Sequence, residues 1–304
     1  MVNTAKLVLG FSSDHNPGKT FAEALDYNHD VVQIHRFPDG ESRIVLPQQL
    51  PSSLIFFRTL NQPNLKLVEL YLAAQAAREH GVKHLTLVAP YLCYMRQDHC
   101  FNPGEAVSQL HIGHWLSQLF DRVITVDPHL HRVNHIDQVL TNGHNVSAAP
   151  EIARFLKSKT QDAILLGPDE ESRQWLEAVA EQSGFDFFIA TKQRYGDKDV
   201  EVALPTCEVQ DRHVVIIDDI ASTGHTLATA AKNITQQGCA TIDCFVTHAL
   251  ISQENLDELH NSGVRHLWST DSVHHSTNVV SLASLLADAV YSPIEKCKQE
   301  SYIV

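Results

Sequence analysis

Long hydrophobic runs are missing from this chain of 304 residues. No apolar stretch approaches the roughly 18 residues that a membrane-spanning helix requires. The first residues are too short a segment for the hydrophobic region of a secretion signal, and they instead predict a strand that begins at Leu7. The sequence therefore predicts no membrane partner and a cytoplasmic location.

Basic residues are also in the minority. The chain has 23 Lys and Arg against 36 Asp and Glu, which gives a formal net charge of -13. A protein that binds a nucleic-acid backbone needs a basic face, so this composition argues against a nucleic-acid partner. Small phosphorylated substrates stay open, because they require only a local group of amides, cations or a metal ion.

Paired cysteines are absent as well. The six cysteines are scattered and form no C-x-x-C motif, which is typical of free thiols in a reducing compartment. The 19 histidines invite metal hypotheses. Most of them stand alone in the sequence, and a structural or solvent-exposed role explains them better.

Short β-branched runs alternate with longer amphipathic stretches along the whole chain. The predicted strands are 7–10, 31–37, 54–59, 84–89, 122–127, 163–167, 187–190, 199–204, 213–218 and 241–247, and the predicted helices are 65–80, 105–120, 170–183, 226–237 and 279–291. This alternation predicts an α/β protein with mainly parallel sheets flanked by helices. The length favours two domains, and the polar stretch 141–145 places their boundary near residue 146.

The strongest local motif follows the apolar run 214–217 and reads Asp218-Asp219-Ile220-Ala221-Ser222-Thr223-Gly224-His225-Thr226. Residues 222–226 would offer amides and hydroxyls at a helix N-terminus, where the helix dipole favours an anion. Gly224 would let the backbone approach a phosphate without a Cβ in the way. Asp218 and Asp219 would repel that phosphate unless they bind ribose hydroxyls or a metal carried by the substrate. The alternative is an ordinary acidic turn followed by a helix cap.

This motif resembles the ribose-phosphate loop of the type I phosphoribosyltransferase fold. Four further segments occur in the order found in ribose-phosphate pyrophosphokinases, the family that makes phosphoribosyl pyrophosphate (PRPP): Phe37-Pro38-Asp39-Gly40-Glu41, Tyr94-Met95-Arg96-Gln97-Asp98, Val126-Asp127-Pro128-His129 and Lys192-Gln193-Arg194. Residues 104–108 and 277–278 look more like the archaeal-type branch. The resemblance implies two type I phosphoribosyltransferase-like domains. Residues 1–146 would form the ATP side, and residues 147–304 would carry the ribose 5-phosphate loop, with a last helix able to pack back on the first domain.

The resemblance also implies a role for each matching residue. Phe37, Asp39 and Glu41 would reach the adenine site of a neighbouring subunit, so we expect a homodimer or a higher homo-oligomer. Arg96, Gln97 and Asp98 would contact ATP. Asp127 and His129 would help to hold Mg²⁺, largely through water, and Asp169 would be the other metal-associated carboxylate. The ribose 5-phosphate site would comprise Asp218, Asp219, Ser222, Thr223, Gly224, His225 and Thr226.

Lys192 and Arg194 are the implied catalytic residues. They would lie on a mobile loop and stabilise the charge that develops when the C1 hydroxyl of ribose 5-phosphate attacks the β-phosphorus of ATP. Two departures from the family pattern stand out: the acids Glu170-Glu171 where small residues are usual, and His99-Cys100 where a basic residue is usual. They leave three alternatives open, namely a non-catalytic regulatory paralogue, a phosphoribosyltransferase, and a metal-dependent hydrolase built on His129 and His131.

Overall fold

The computed structural model describes residues 6–133, 135–195, 199–203 and 209–293, with His15 and residues 191–203 described by their backbone alone. The chain divides into two compact units. One comprises the residues up to Val146 together with the chain from Ala283 onward, and the other comprises Ser147–Leu282. In neither described part is any helix long and apolar enough to cross a membrane.

The first unit contains a seven-stranded sheet in its described residues. Its strands are β1 (Leu7–Phe11), β2 (Asn28–Arg36), β3 (Ser42–Val45), β4 (Ser53–Phe57), β5 (His84–Val88), β6 (Arg122–Val126) and β7 (Gly143–Val146), in the order β3-β2-β1-β4-β5-β6-β7. All neighbours pair in parallel except β2 and β3, which form an antiparallel hairpin at the edge. The helices are α1 (His15–Leu25), α2 (Pro63–Glu79) and α3 (Ser108–Leu119).

The second unit contains a six-stranded parallel sheet in its described residues. Its strands are β8 (Ile164–Gly167), β9 (Phe187–Ile189), β12 (His213–Ala221), β13 (Thr241–Ala249), β14 (Val264–Thr270) and β15 (Asn278–Val280), in the order β15-β14-β13-β12-β8-β9. A separate antiparallel pair is formed by β10 (Thr191–Tyr195) and β11 (Asp199–Ala203). The helices are α4 (Ala149–Lys159), α5 (Arg173–Ser183), α6 (His225–Gln236) and α7 (Gln253–Asn261).

The last helix, α8 (Ala283–Tyr291), belongs to the first unit. Arg122 at the start of β6 donates from Nη2 to the carbonyl oxygens of Ala289 at 2.7 Å and Ser292 at 2.6 Å. A cation is favourable at this position, because the last carbonyls of a helix carry partial negative charge. One arginine therefore attaches the C-terminal end of α8 to the sheet of the first unit.

The fold class is confirmed: both sheets are mainly parallel, and apolar strands such as Val214–Ile217 are buried at their centres. Several predicted boundaries were wrong. The stretch around Asn145 is not a linker but the edge strand β7, which pairs with β6. Short strands with few apolar residues, such as β3, were missed, because their pattern is weak until a neighbouring strand provides hydrogen bonds. The missed elements are β3, β7, β10, β14, β15, α1, α4 and α7.

Candidate active site

The ribose-phosphate motif lies at the carboxyl end of β12, but the strand is longer than predicted. Ile220 and Ala221 pair with His248 and Ala249 of β13, so the strand ends at Ala221 rather than at Asp218. The chain order of the sheet reverses between β8 and β12, because β9 lies outside β8 while β13 and β14 follow on the other side. Ligands of parallel α/β sheets bind at such a reversal.

Three residues, 222–224, connect β12 to α6. Gly224 has φ 74° and forms the N-cap of α6, a left-handed conformation that favours glycine. A Cβ at this position would lie 2.9 Å from Cδ1 of Ile251, so the loop is also tightly packed from below. Thr223, His225 and Thr226 are exposed and Ser222 is half-buried. The first turn of α6 is therefore open to solvent, as an anion-binding helix N-terminus requires.

Asp218 and Asp219 are strand residues with different environments. Asp219 is only 2% exposed, whereas Asp218 is half-buried, and the Asp219 amide donates to Oδ1 of Asp218 at 3.0 Å. Burial, together with the negative charges of Asp219 and Asp169, raises the pKa of Asp218 well above its usual range. The structure thus brings three predicted carboxylates into electrostatic contact at the ends of β8 and β12. Such a repulsive oxygen donor set fits a hard cation such as Mg²⁺.

Asp169 begins the turn that follows β8, and its Oδ1 accepts from the Glu171 amide at 3.1 Å. The unusual acid beside it, Glu170, forms an ion pair with Arg173, whose Nε lies 2.6 Å from Oε1. Arg173 also contacts Glu177 at 3.0 Å. Glu170 therefore does not add an uncompensated negative charge to this turn.

Lys192 and Arg194 lie in β10, in register with Val202 and Val200 of β11. This is a correction, because the sequence predicted a loop at these positions. The tip of the hairpin, residues 196–198, lies outside the described residues, and so do the side chains of Lys192 and Arg194. Their catalytic role stays a prediction.

Phe37, Asp39 and Glu41 form the exposed tip of the β2–β3 hairpin. The Phe37 amide donates to the Glu41 carbonyl at 2.8 Å, and Oδ1 of Asp39 accepts from the Glu41 amide at 3.2 Å. The Phe37 ring is 41% exposed and meets His35 edge-on at 4.8 Å. The tip therefore presents an aromatic ring and two carboxylates to solvent.

The base of that hairpin is anchored to α2 through the buried Glu69. Arg36 lies 3.4 Å and Ser42 lies 3.1 Å from Oε1 of Glu69, whose other oxygen pairs with the buried Arg58. Because both strands of the hairpin contact one buried carboxylate, the exposed tip has a rigid base.

The predicted nucleotide loop, residues 96–98, follows β5, and Asp127 and His129 follow the adjacent β6. An ion pair joins the two segments, with Nε of Arg132 3.5 Å from Oδ1 of Asp98. Gln97 donates to the His99 carbonyl at 2.9 Å, while Arg96 is exposed. The structure thus brings Asp98 and the segment after β6 together.

Asp127 is buried and has φ 38°, a left-handed conformation that is unusual for a residue with a side chain. His129 and His131 contact each other, with ring centroids 3.8 Å apart and planes at 90°. Among the described residues no three His, Cys, Asp or Glu side chains are arranged to hold a metal ion. A catalytic zinc site takes three protein ligands, so the geometry does not favour the hydrolase alternative.

Two arginines of this region were not singled out in the sequence. Arg173 lies three residues after Glu170, a helical spacing that could have indicated the pair. Arg132 is 34 positions from Asp98, and no sequence pattern connects residues so far apart.

Comparison with known families agrees with this fold. Residues 135–279 match the model of the phosphoribosyl transferase domain, and residues 7–119 match that of the N-terminal domain of ribose phosphate pyrophosphokinase. The crystal structure of phosphoribosylpyrophosphate synthetase from Mycobacterium smegmatis superposes with a TM-score of 0.81 at 20% identity, covering 94% of this chain and 97% of that one. The fold and the loop after β12 therefore define a phosphoribosyltransferase-type protein with two α/β units.

Relatives of known name make the assignment narrower. The ribose-phosphate pyrophosphokinase of Methanopyrus kandleri is 33% identical over 287 residues, which is 93% of this chain and 98% of the relative. That of Pyrococcus furiosus is 26% identical over 276 residues, or 91% of this chain and 97% of the relative. This chain belongs to the ribose-phosphate pyrophosphokinase family, and both relatives come from archaea, as the resemblance indicated.

Proposed function

We propose that this protein is a ribose-phosphate diphosphokinase. It transfers the β,γ-diphosphoryl group of ATP to the C1 hydroxyl of ribose 5-phosphate and releases PRPP and AMP. The observation that carries the proposal is the open N-terminus of α6 beside Asp218 and Asp219, in a chain that belongs to this family. A phosphoribosyltransferase would leave the first unit without a role, whereas that unit matches the N-terminal domain of ribose phosphate pyrophosphokinase.

Ribose 5-phosphate binds at the loop after β12. Its phosphate accepts from the amides of Ser222–Thr226 and from the hydroxyls of Ser222, Thr223 and Thr226, with His225 at the rim. Asp218 and Asp219 accept hydrogen bonds from the ribose hydroxyls. The exposed first turn of α6 and the partly exposed Asp218 support this assignment. It also explains why two acids lie beside a phosphate site, because sugar hydroxyls are donors and need acceptors.

ATP binds to the first unit and to a second copy of the chain. Arg96 contacts the phosphates, Gln97 and Asp98 contact the nucleotide, and Phe37, Asp39 and Glu41 read the adenine of a neighbouring subunit. The exposed, rigidly based tip of the β2–β3 hairpin supports this role, because it places an aromatic ring and acceptors where a separate molecule can reach them. The proposal therefore requires at least a homodimer.

Asp127 and His129 on the ATP side, and Asp169 on the ribose side, are the residues that hold Mg²⁺. When bound, the ion neutralises the charge of the ATP phosphates. The protein needs to supply few ligands, because Mg²⁺ keeps much of its water. The raised pKa of Asp218 supports a cation on the ribose side, since the carboxylates that surround it repel one another.

Lys192 and Arg194 bind the transferred diphosphoryl group and the leaving oxygen. Negative charge grows on both during transfer, so a cation in this place stabilises the transition state more than the ground state. Their position on a two-stranded hairpin outside the six-stranded sheet supports the role of a flap.

The test is to incubate the purified protein with ATP, ribose 5-phosphate and Mg²⁺ and to identify both products. We expect AMP and PRPP in equal amounts, and no AMP when the sugar phosphate is left out or the metal is chelated. Absence of both products, alone and in mixtures with a known synthetase, would instead support a regulatory paralogue. Consumption of added PRPP with release of pyrophosphate would identify a phosphoribosyltransferase.

A further inference from the structure

The second unit has a cluster of cationic and imidazole groups at the amino ends of its strands. The cluster surrounds Asp243 of β13, whose side chain is fully buried. His213 Nε2 lies 2.8 Å from Oδ2, while Arg265 Nε at 3.0 Å and His266 Nδ1 at 2.9 Å contact Oδ1. Burial by itself raises the pKa of Asp243, but the hydrogen bonds from these three side chains outweigh it and hold the pKa well below its usual value. The buried group is therefore an ionised carboxylate.

A β-bulge makes this cluster possible. Ile242 pairs with Val264, but the next residue, Asp243, pairs with His266, so Arg265 is an extra residue in β14. Consecutive residues of a regular strand point to opposite faces, whereas a bulge redirects a side chain. Arg265 and His266 are consecutive and both contact the same carboxylate. The local backbone is thus shaped to gather cationic groups at one point.

The cluster lines a cavity of about 420 Å³ together with Lys159, Thr160 and Trp268. This volume is within the range of small-molecule sites, roughly 300–1,000 Å³. The Trp268 ring stacks on His266, with centroids 5.4 Å apart and planes at 10°, and meets Phe155 edge-on at 5.2 Å. The wall of the cavity is therefore held by ring packing as well as by the ion pairs.

The cavity carries a local positive charge. Lys159 and Arg265 are two fixed cations against the single charge of Asp243, and protonation of His213 or His266 adds to the excess. Arg265 uses Nε and Nη2 on Asp243, and among the described residues its third nitrogen, Nη1, has no protein acceptor. Lys159 contacts the face of Phe155 at 5.2 Å. A positive cavity is notable in a chain with a net charge of -13.

We propose that this cavity binds a small phosphorylated anion, with Arg265 and Lys159 as the charged donors and buried Asp243 as the residue that orients Arg265, His213 and His266. Phosphate oxygens suit a guanidinium that offers parallel N–H groups. The site is separate from the ribose-phosphate loop. Nine residues of β12 lie between His213 and Ser222, which corresponds to roughly 30 Å of extended strand.

Binding is measured by calorimetry on the full chain, so it does not depend on turnover. Inorganic phosphate, ribose 5-phosphate and AMP are titrated at low ionic strength into wild type and into Gly224→Val, which removes the loop after β12 as an anion site. We expect Gly224→Val to keep one binding event. The ligand that binds most tightly to it then tells whether free phosphate or the phosphoryl group of a metabolite occupies the cavity.

Three substitutions in the Gly224→Val background locate that event. Lys159→Gln and Arg265→Gln should each weaken it at least tenfold. Lys157→Gln is the matched control, because Lys157 lies on the same helix but donates to the Gln182 carbonyl and does not line the cavity. Since Arg265→Gln removes a partner of a buried carboxylate, Lys159→Gln provides the arm that leaves the cluster intact. The proposal is overturned if Gly224→Val binds none of the three compounds, or if Lys159→Gln binds as tightly as Lys157→Gln.

Discussion

Arg173 holds the Glu170 carboxylate through two hydrogen bonds, from Nε to Oε1 at 2.6 Å and from Nη2 to Oε2 at 3.1 Å. Glu170 follows Asp169, which contributes to the raised pKa of Asp218. The additional acid of this chain is thus accompanied by its own counter-charge, within four residues. The pair explains how the turn after β8 can differ in sequence and still lie beside a site for phosphates.

Removal of that counter-charge should weaken substrate binding. We expect Arg173→Ala to raise KM for ribose 5-phosphate roughly two- to fivefold, because exposed charges interact by only about 0.4–1 kcal/mol. The double substitution Glu170→Gln/Arg173→Ala should restore KM. Arg154→Ala is the control, since Arg154 forms a similar exposed pair with Glu151 on α4. Failure of Glu170→Gln to rescue KM would contradict the electrostatic explanation.

Gly224→Ala should separate loop geometry from backbone strain. A side chain in the left-handed region costs about 1–2 kcal/mol, and at Gly224 its Cβ would also press on Ile251 at 2.9 Å. We expect at least a tenfold increase in KM for ribose 5-phosphate. Gly238→Ala is the matched control, with φ 81° and its nearest neighbour, Gln210, at 3.7 Å. It should lose similar stability in urea and keep its KM, and an equal effect on KM would count against the site.

Asp218 should make stability dependent on pH. Its pKa is raised in the folded state, so between the ordinary carboxyl pKa and the raised value the folded state binds more protons than the unfolded state. The free energy of unfolding then decreases as pH rises through that window. Asp218→Asn should abolish this decrease and be more stable than wild type at pH 7, while it binds ribose 5-phosphate more weakly.

Urea unfolding at a series of pH values measures this difference. Asp257→Asn, which removes an exposed carboxylate on α7, serves as the control and should retain the pH dependence of the wild type. Identical pH profiles for wild type and Asp218→Asn would rule out the electrostatic contact among the three carboxylates.

Phe37→Ala should raise KM for ATP about tenfold without loss of stability. A tenfold change corresponds to about 1.4 kcal/mol, which is within the range of an aromatic stacking contact. Val45→Ala is the matched control, because Val45 lies on the same hairpin and is 42% exposed, like Phe37 at 41%. Active-site complementation in mixtures of Phe37→Ala and Lys192→Ala subunits would show that Phe37 serves a neighbour. A normal KM for ATP in Phe37→Ala would remove the hairpin from the nucleotide site.

Lys192→Ala and Arg194→Ala should each lower kcat by roughly 10²–10³-fold, the usual effect of removing one donor to a developing charge. ATP binding by calorimetry should stay unchanged, because the charge they stabilise develops only during transfer. Lys157→Ala controls for the loss of one positive charge. Turnover equal to wild type in either variant would discard the flap assignment.

The sequence by itself determined the fold class and the position of the ribose-phosphate loop. Both depend on local pattern: a buried apolar strand, two acids, then small residues with a glycine at the start of a helix. Weak strands could not be predicted in the same way. Gly143–Val146 is polar and becomes a strand only because β6 offers it hydrogen-bonding partners.

Tertiary structure decided which distant residues act together. The Asp98–Arg132 pair, the cluster around Asp243 and the end of β12 at Ala221 each depend on neighbouring strands and loops, whose register no local pattern records. The bulge in β14 is the clearest case. One extra residue redirects Arg265 towards a carboxylate 22 positions away, and the sequence of β14 alone gives no reason to expect it.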